Sequence, residues 1–117
     1  MHSDSISDLS PIENLINLEI LYLGANPIND ISVLANFINL IISTLFHNQI
    51  TDISILENLT NLTWLNLNDS QISDISPLRN LTDLEVLAIS DNQISDISAL
   101  ENMVNLRLLL LSCNEIS

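Results

Sequence analysis

The chain has 117 residues, enough for one domain with a continuous core and too few for two. Asp and Glu number 15 against two arginines, a net charge of −13 that makes nucleic acid and anionic membrane poor partners. The same field favours a basic partner, or simply keeps an apolar repeat soluble.

Aromatic residues make up 3% of a chain that is 47% apolar, so the core must be built from Leu and Ile. No apolar run reaches the ~18 residues of a membrane span. Met1-His2-Ser3-Asp4-Ser5 lacks the basic region and apolar stretch of a secretory signal.

The first predicted element is a short helical turn at Ser10-Pro11, read as an N-cap followed by a helix-compatible proline. Asn14 closes it, in a left-handed conformation expected to stop the helix. From Leu15 a unit begins that repeats every 22 residues, restarting at Phe37, Leu59, Leu81 and Met103. Each unit opens with a short strand. In the third it lies within Leu62 to Leu67, with Leu65 and Leu67 inward and Trp64, Asn66 and Asn68 outward.

A turn follows at Asn26, Asn48, Asn92 and Asn114, where an inward amide can satisfy backbone groups that the turn leaves open. A return arm completes the unit, as at Ile72, Ile75 and Leu78, all predicted to face inward. Ser32, Ser54, Ser76 and Ser98 repeat the cap column, and Asn36, Asn58, Asn80 and Asn102 the stop column. One turn of 3-10 or α-helix is the most that fits. Asp8, Asp30, Asp52, Asp74 and Asp96 recur at the entrance to the arm, where carboxylates accept local backbone hydrogen bonds. Two positions depart from the pattern: Ser43 stands where a core Leu is expected, and Ser70 replaces the column Asn. Each is expected to loosen its rung, because a buried hydroxyl needs a partner.

A period of 22 with L-x-x-L-x-L-x-x-N spacing predicts an α/β leucine-rich-repeat solenoid. It is a right-handed curved superhelix with a concave parallel β-sheet and short convex 3-10 or helical turns. The whole chain, 1–117, is read as one such domain. Gln71-Ile72-Ser73-Asp74-Ile75-Ser76-Pro77-Leu78 and Asn92-Gln93-Ile94-Ser95-Asp96-Ile97-Ser98-Ala99-Leu100 resemble the 22-residue repeats of internalins. The resemblance runs from about Ile6 to Ser117. It implies a bacterial surface or secreted adhesin that grips a protein through its concave sheet. The leucine-rich-repeat regulator of type-1 protein phosphatases, an intracellular scaffold, shares the 22-residue period and is the alternative. A purely structural segment of a longer array is another.

Aligned rungs place the outward strand positions in columns. The first reads Ile20, Ile42, Trp64, Val86, Leu108 and is apolar throughout. The second reads Tyr22, Thr44, Asn66, Ala88, Leu110, and Phe46 falls in the third. A solvated sheet face should be mostly polar. The stripe therefore reads as a protein-binding surface anchored by Trp64, and against that stands the stacking preference of apolar residues along a parallel sheet. Ile20, Tyr22, Ile42, Phe46, Trp64, Asn66, Val86, Leu108 and Leu110 are the candidate contacts. His47, Asp69 and Asp91 form a polar rim, with His47 and Asp69 about 5 Å apart on adjacent rungs.

Chemistry of other kinds finds little support. Cys113 lies roughly 14 Å from His47, too far for a nucleophile and its base. Neither a Ser/His/Asp set nor a glycine-rich phosphate loop is present. No catalytic role, cofactor or metal is expected. The last unit offers Met103, Leu106, Leu109, Leu111 and Ile116 without a following rung to cover them. Half-exposing such a row forfeits about 4–7 kcal/mol, so the chain is expected to be part of a longer protein or to pair end to end. An internalin-like parent implies a secreted or cell-surface location, and a chain complete as it stands implies the cytoplasm.

Overall fold

The computed structural model describes residues 5–116. Residues 1–4, on which the reading of the N-terminus rests, and residue 117 lie outside the described residues. Five strands, β1 (Ile20–Tyr22), β2 (Ile42–Thr44), β3 (Trp64–Asn66), β4 (Val86–Ala88) and β5 (Leu108–Leu110), form one parallel sheet in sequence order. The pairing runs Ile20 to Ile42 to Trp64 to Val86 to Leu108, so the 22-residue columns are the true register.

The strands are shorter than the Leu62–Leu67 stretch suggests. Leu62 still belongs to the preceding turn, its N–H donating to the Leu59 carbonyl at 3.2 Å. Beyond Asn66 the inter-rung ladder continues outside regular strand geometry, with Leu67 N–H on the Ala88 carbonyl at 2.7 Å and Asp69 N–H on the Ser90 carbonyl at 2.9 Å.

The return arms are 3-10 turns at Ser10–Ile12, Ser32–Asn36, Ser54–Asn58, Ser76–Asn80 and Ser98–Leu100. The serines do not cap their turns as expected, whereas the aspartates accept local backbone hydrogen bonds as expected. Each serine is the first residue of its turn, and the flanking residues Leu9, Ile31, Ile53, Ile75 and Ile97 give no side-chain cap. The cap comes from the aspartate two positions before the serine: Asp8, Asp30, Asp52, Asp74 and Asp96 each accept the serine N–H at 2.9 Å. That bond, seconded by the serine side chain, holds all five carboxyls below their ordinary value. A carboxylate set back by two residues reaches the N–H that a serine at the turn's first position cannot cap itself.

The stop column also differs. None of Asn14, Asn36, Asn58, Asn80 and Asn102 is left-handed. The turns run out through Phe37, Leu59 and Leu81 at φ near −90° and ψ of 58–60°, a bend that needs no positive φ. Apart from Ser5 near the start of the chain, the left-handed residues are instead Ala25, His47, Asp69, Asp91 and Cys113, at φ 54–60°, where the chain leaves the sheet.

The next residue in each rung is the inward Asn, and its amide joins several rungs. Asn92 Nδ2 donates to the Leu67, Ile89 and Ser90 carbonyls, and its Oδ1 accepts the Ile72 N–H. Asn48 and Asn114 repeat this arrangement. The amide thus satisfies backbone groups that would otherwise be buried without partners.

Inside the loop of chain, Leu and Ile from every rung form one continuous core. In one rung it includes Ile72, Ile75, Leu78, Leu81, Leu84, Leu87 and Ile89, each at most 1% exposed. Ser43 is fully enclosed between the register partners Leu21 and Leu65, and its hydroxyl has no partner. The buried hydroxyl of Ser70 has none either. In the last rung Leu109 and Ile116 are more than a third exposed and Leu106 and Leu111 half-buried, whereas Met103 is buried. Met103 packs into the core cluster, its N–H bonded to the Leu100 carbonyl at 3.1 Å.

Candidate binding face

The sheet aims alternate side chains away from the core, and their identity decides what the concave face offers. Ile20, Trp64 and Leu108 are exposed, and Ile42 and Val86 half-exposed, so the first column is an apolar stripe open to solvent. Trp64, the only tryptophan, leaves 46% of its surface accessible, a costly position for so large an apolar ring.

The stripe widens into a hollow of about 250 Å³ lined by Tyr22, Ile42, Thr44, Phe46 and Trp64. Four of these were singled out from the sequence. Thr44 is the addition, second in its column beside Tyr22, and its buried hydroxyl has no partner. The wall by Tyr22 depends on the lone glycine: a Cβ on Gly24 would overlap the Phe46 ring.

The other predicted contacts do not line this hollow. Ile20 stands on the first strand beside it, and Val86, Leu108 and Leu110 continue the apolar surface over the last two strands. Asn66 is half-buried and turned to its own chain, its Oδ1 accepting the Asn68 N–H at 3.0 Å. Ala88 is 3% exposed although its position faces outward, because its methyl is shaded by the longer flanking Asn66 and Leu110.

His47, Asp69 and Asp91 line the margin where the strands end, all three exposed. His47 Nδ1 and Asp69 Oδ2 are hydrogen-bonded across adjacent rungs. A larger polar hollow, about 630 Å³, lies beside them and is lined in part by Asn48, Gln49, Ser70 and Gln71. At the opposite margin Arg107 faces Glu85 at 3.8 Å. Among the described residues no three His, Cys, Asp or Glu side chains converge as a metal site would require, and no helix is long and apolar enough to cross a membrane. Cys113 is exposed, and its bond to Asp91 raises the thiol above its ordinary value, away from the reactive thiolate.

A parallel sheet with one 3-10 arm per 22-residue rung, and an inward Asn in every rung but that of Ser70, defines a leucine-rich-repeat protein. The family model for leucine-rich repeats (two copies) matches residues 40–80 and 60–102, and the chain belongs to that family. Its repeats are of the internalin type. An internalin (inlF) from Listeria monocytogenes is similar at 43% identity over 97% of this chain, with a TM-score of 0.94. Internalin C2 of the same species follows at 37% identity over 100% of the chain, TM-score 0.86. A leucine-rich-repeat protein of Leptospira interrogans is 30% identical over 91% of the chain, TM-score 0.84. The chain spans 33%, 62% and 28% of these three proteins. No curated protein sequence matches it.

Proposed function

We propose that this domain binds a protein partner through its concave face and performs no catalysis itself. Leucine-rich-repeat domains are in general protein-interaction modules, and the coarse assignment follows from the family. The location of the site rests on one observation: an aromatic and aliphatic hollow, with Trp64 at its edge, open to solvent on a sheet face that has no structural need of it. Exposed aromatic anchors in a partly formed pocket carry most of the energy of typical interfaces.

The test begins by selecting ligands from a displayed peptide library against the wild-type domain. Their affinities for Trp64→Ala and for a convex control, Glu57→Gln, are then compared. Loss of an anchor is expected to weaken binding by about 30-fold or more, with far-UV circular dichroism unchanged. Equal affinity for both variants would place recognition elsewhere on the solenoid.

A further inference from the structure

We infer that the occupant of the concave hollow is a protein segment presenting one large apolar side chain flanked by lysine or arginine. This rests on the concave-face reading above and adds the chemistry of the partner.

The hollow lined by Tyr22, Ile42, Thr44, Phe46 and Trp64 is about 250 Å³, room for a single side chain rather than for a helix face. Its walls are apolar, so the inserted group is apolar. The surroundings carry the opposite instruction. Glu19 precedes Ile20 and Glu85 precedes Val86 at one margin of the stripe, and Asp69 and Asp91 stand at the other. Among the described residues, the two groups able to carry positive charge there are already matched, Arg107 with Glu85 and His47 with Asp69. Arg79, the other arginine of the chain, sits on the Ser76–Asn80 arm, away from the sheet. An apolar floor between two acidic margins, on a chain of net charge −13, leaves no cation in excess among the described residues to receive an acidic segment. A basic one gains attraction at both margins and is steered in from solution. Cationic side chains also pack favourably over the exposed Trp64 ring.

Trp64 reports on the hollow directly, because it is the only tryptophan. The probe is a capped nine-residue peptide with a central leucine and two lysines on each side, compared with its glutamate counterpart by titration of Trp64 fluorescence. The expected result is a saturable emission shift with the lysine peptide at roughly tenfold lower concentration. Added salt should weaken it, and Glu19→Gln with Glu85→Gln should weaken it by roughly 2–5-fold for each charge. Phe46→Ala should abolish saturation at that concentration.

Equal or tighter binding of the glutamate peptide would overturn the basic-segment inference while leaving the hollow as a binding site. An unchanged lysine titration in Phe46→Ala would overturn it too, as charge adsorption outside the hollow. If neither peptide shifts the emission while library-selected ligands still depend on Trp64, the single-knob occupant is wrong and the concave face stands.

Discussion

The Phe46 ring lies over the α-carbon of Gly24, on the neighbouring rung, where a side chain of any other residue would have to stand. Gly24 does not have a positive φ, so its role is closeness of approach and not backbone freedom. Gly24→Ala is expected to turn the Phe46 ring away from the hollow. Stability should change by no more than about 1 kcal/mol, since the ring can rotate, but ligand affinity should fall roughly tenfold. Equal affinity, measured by Trp64 fluorescence, would mean that the ring position is irrelevant to binding.

Ser70 interrupts the Asn column. In neighbouring rungs the amide holds the N–H of Ile28, Ile72 or Ile94 and donates to carbonyls on two rungs. Ile50 meets no such oxygen, and the Ser70 hydroxyl is buried without a partner. Ser70→Asn should restore the link and raise the free energy of unfolding by about 1–3 kcal/mol in urea titration. An unchanged midpoint would mean that the rung has closed around the serine.

Ser43 presents the opposite problem, since no hydrogen-bonding role exists at a core position between Leu21 and Leu65. Its hydroxyl is enclosed and unpaired. Ser43→Ala removes that polar atom without needing new space, and is expected to raise stability by about 1 kcal/mol. Lower thermal stability of the variant would refute this.

The five capping aspartates are expected to contribute to the acid limb of stability. Their folded carboxyls titrate below the ordinary value of 3.8, so the folded state binds protons less readily than the unfolded chain. The stabilisation is therefore fully present above the ordinary value and is lost as pH falls through the lowered ones. Asp74→Asn keeps an acceptor oxygen for the Ser76 N–H but cannot titrate. It is expected to flatten the acid limb, whereas Asp74→Ala loses the cap at neutral pH. Identical unfolding profiles for the two variants between pH 2 and 7 would remove the cap as the cause.

The period alone gives the register, because residues 22 apart must stack if every rung has the same path. Ile20, Ile42, Trp64, Val86 and Leu108 therefore align as the spacing requires. The same equality hides which of two neighbouring columns does a job. Asp74 and Ser76 recur together and both read as caps; the geometry of the 3-10 turn keeps the aspartate and makes the serine the capped residue. Likewise an Asn column suggested left-handed residues, yet Asn58 and Asn80 close turns that need none. His47 and Asp69 take that conformation instead, and the general tolerance of Asp for positive φ was the available clue. Thr44 belongs to the hollow although its column marks it only as polar, because a polar residue in a mixed column gives no sign of being enclosed.

The left-handed column has a consequence for how this face diversifies. Ala25, His47, Asp69 and Asp91 share nearly one φ, with N–H bonds to the next rung, yet carry a methyl, an imidazole and two carboxylates. Side-chain identity there is uncoupled from the path of the chain, except that β-branched residues are unwelcome at positive φ. The lip of the sheet is thus a set of interchangeable sockets, one per rung, in which charge can be exchanged for a proton acceptor or a methyl while the Leu and Ile core behind it stays as it is.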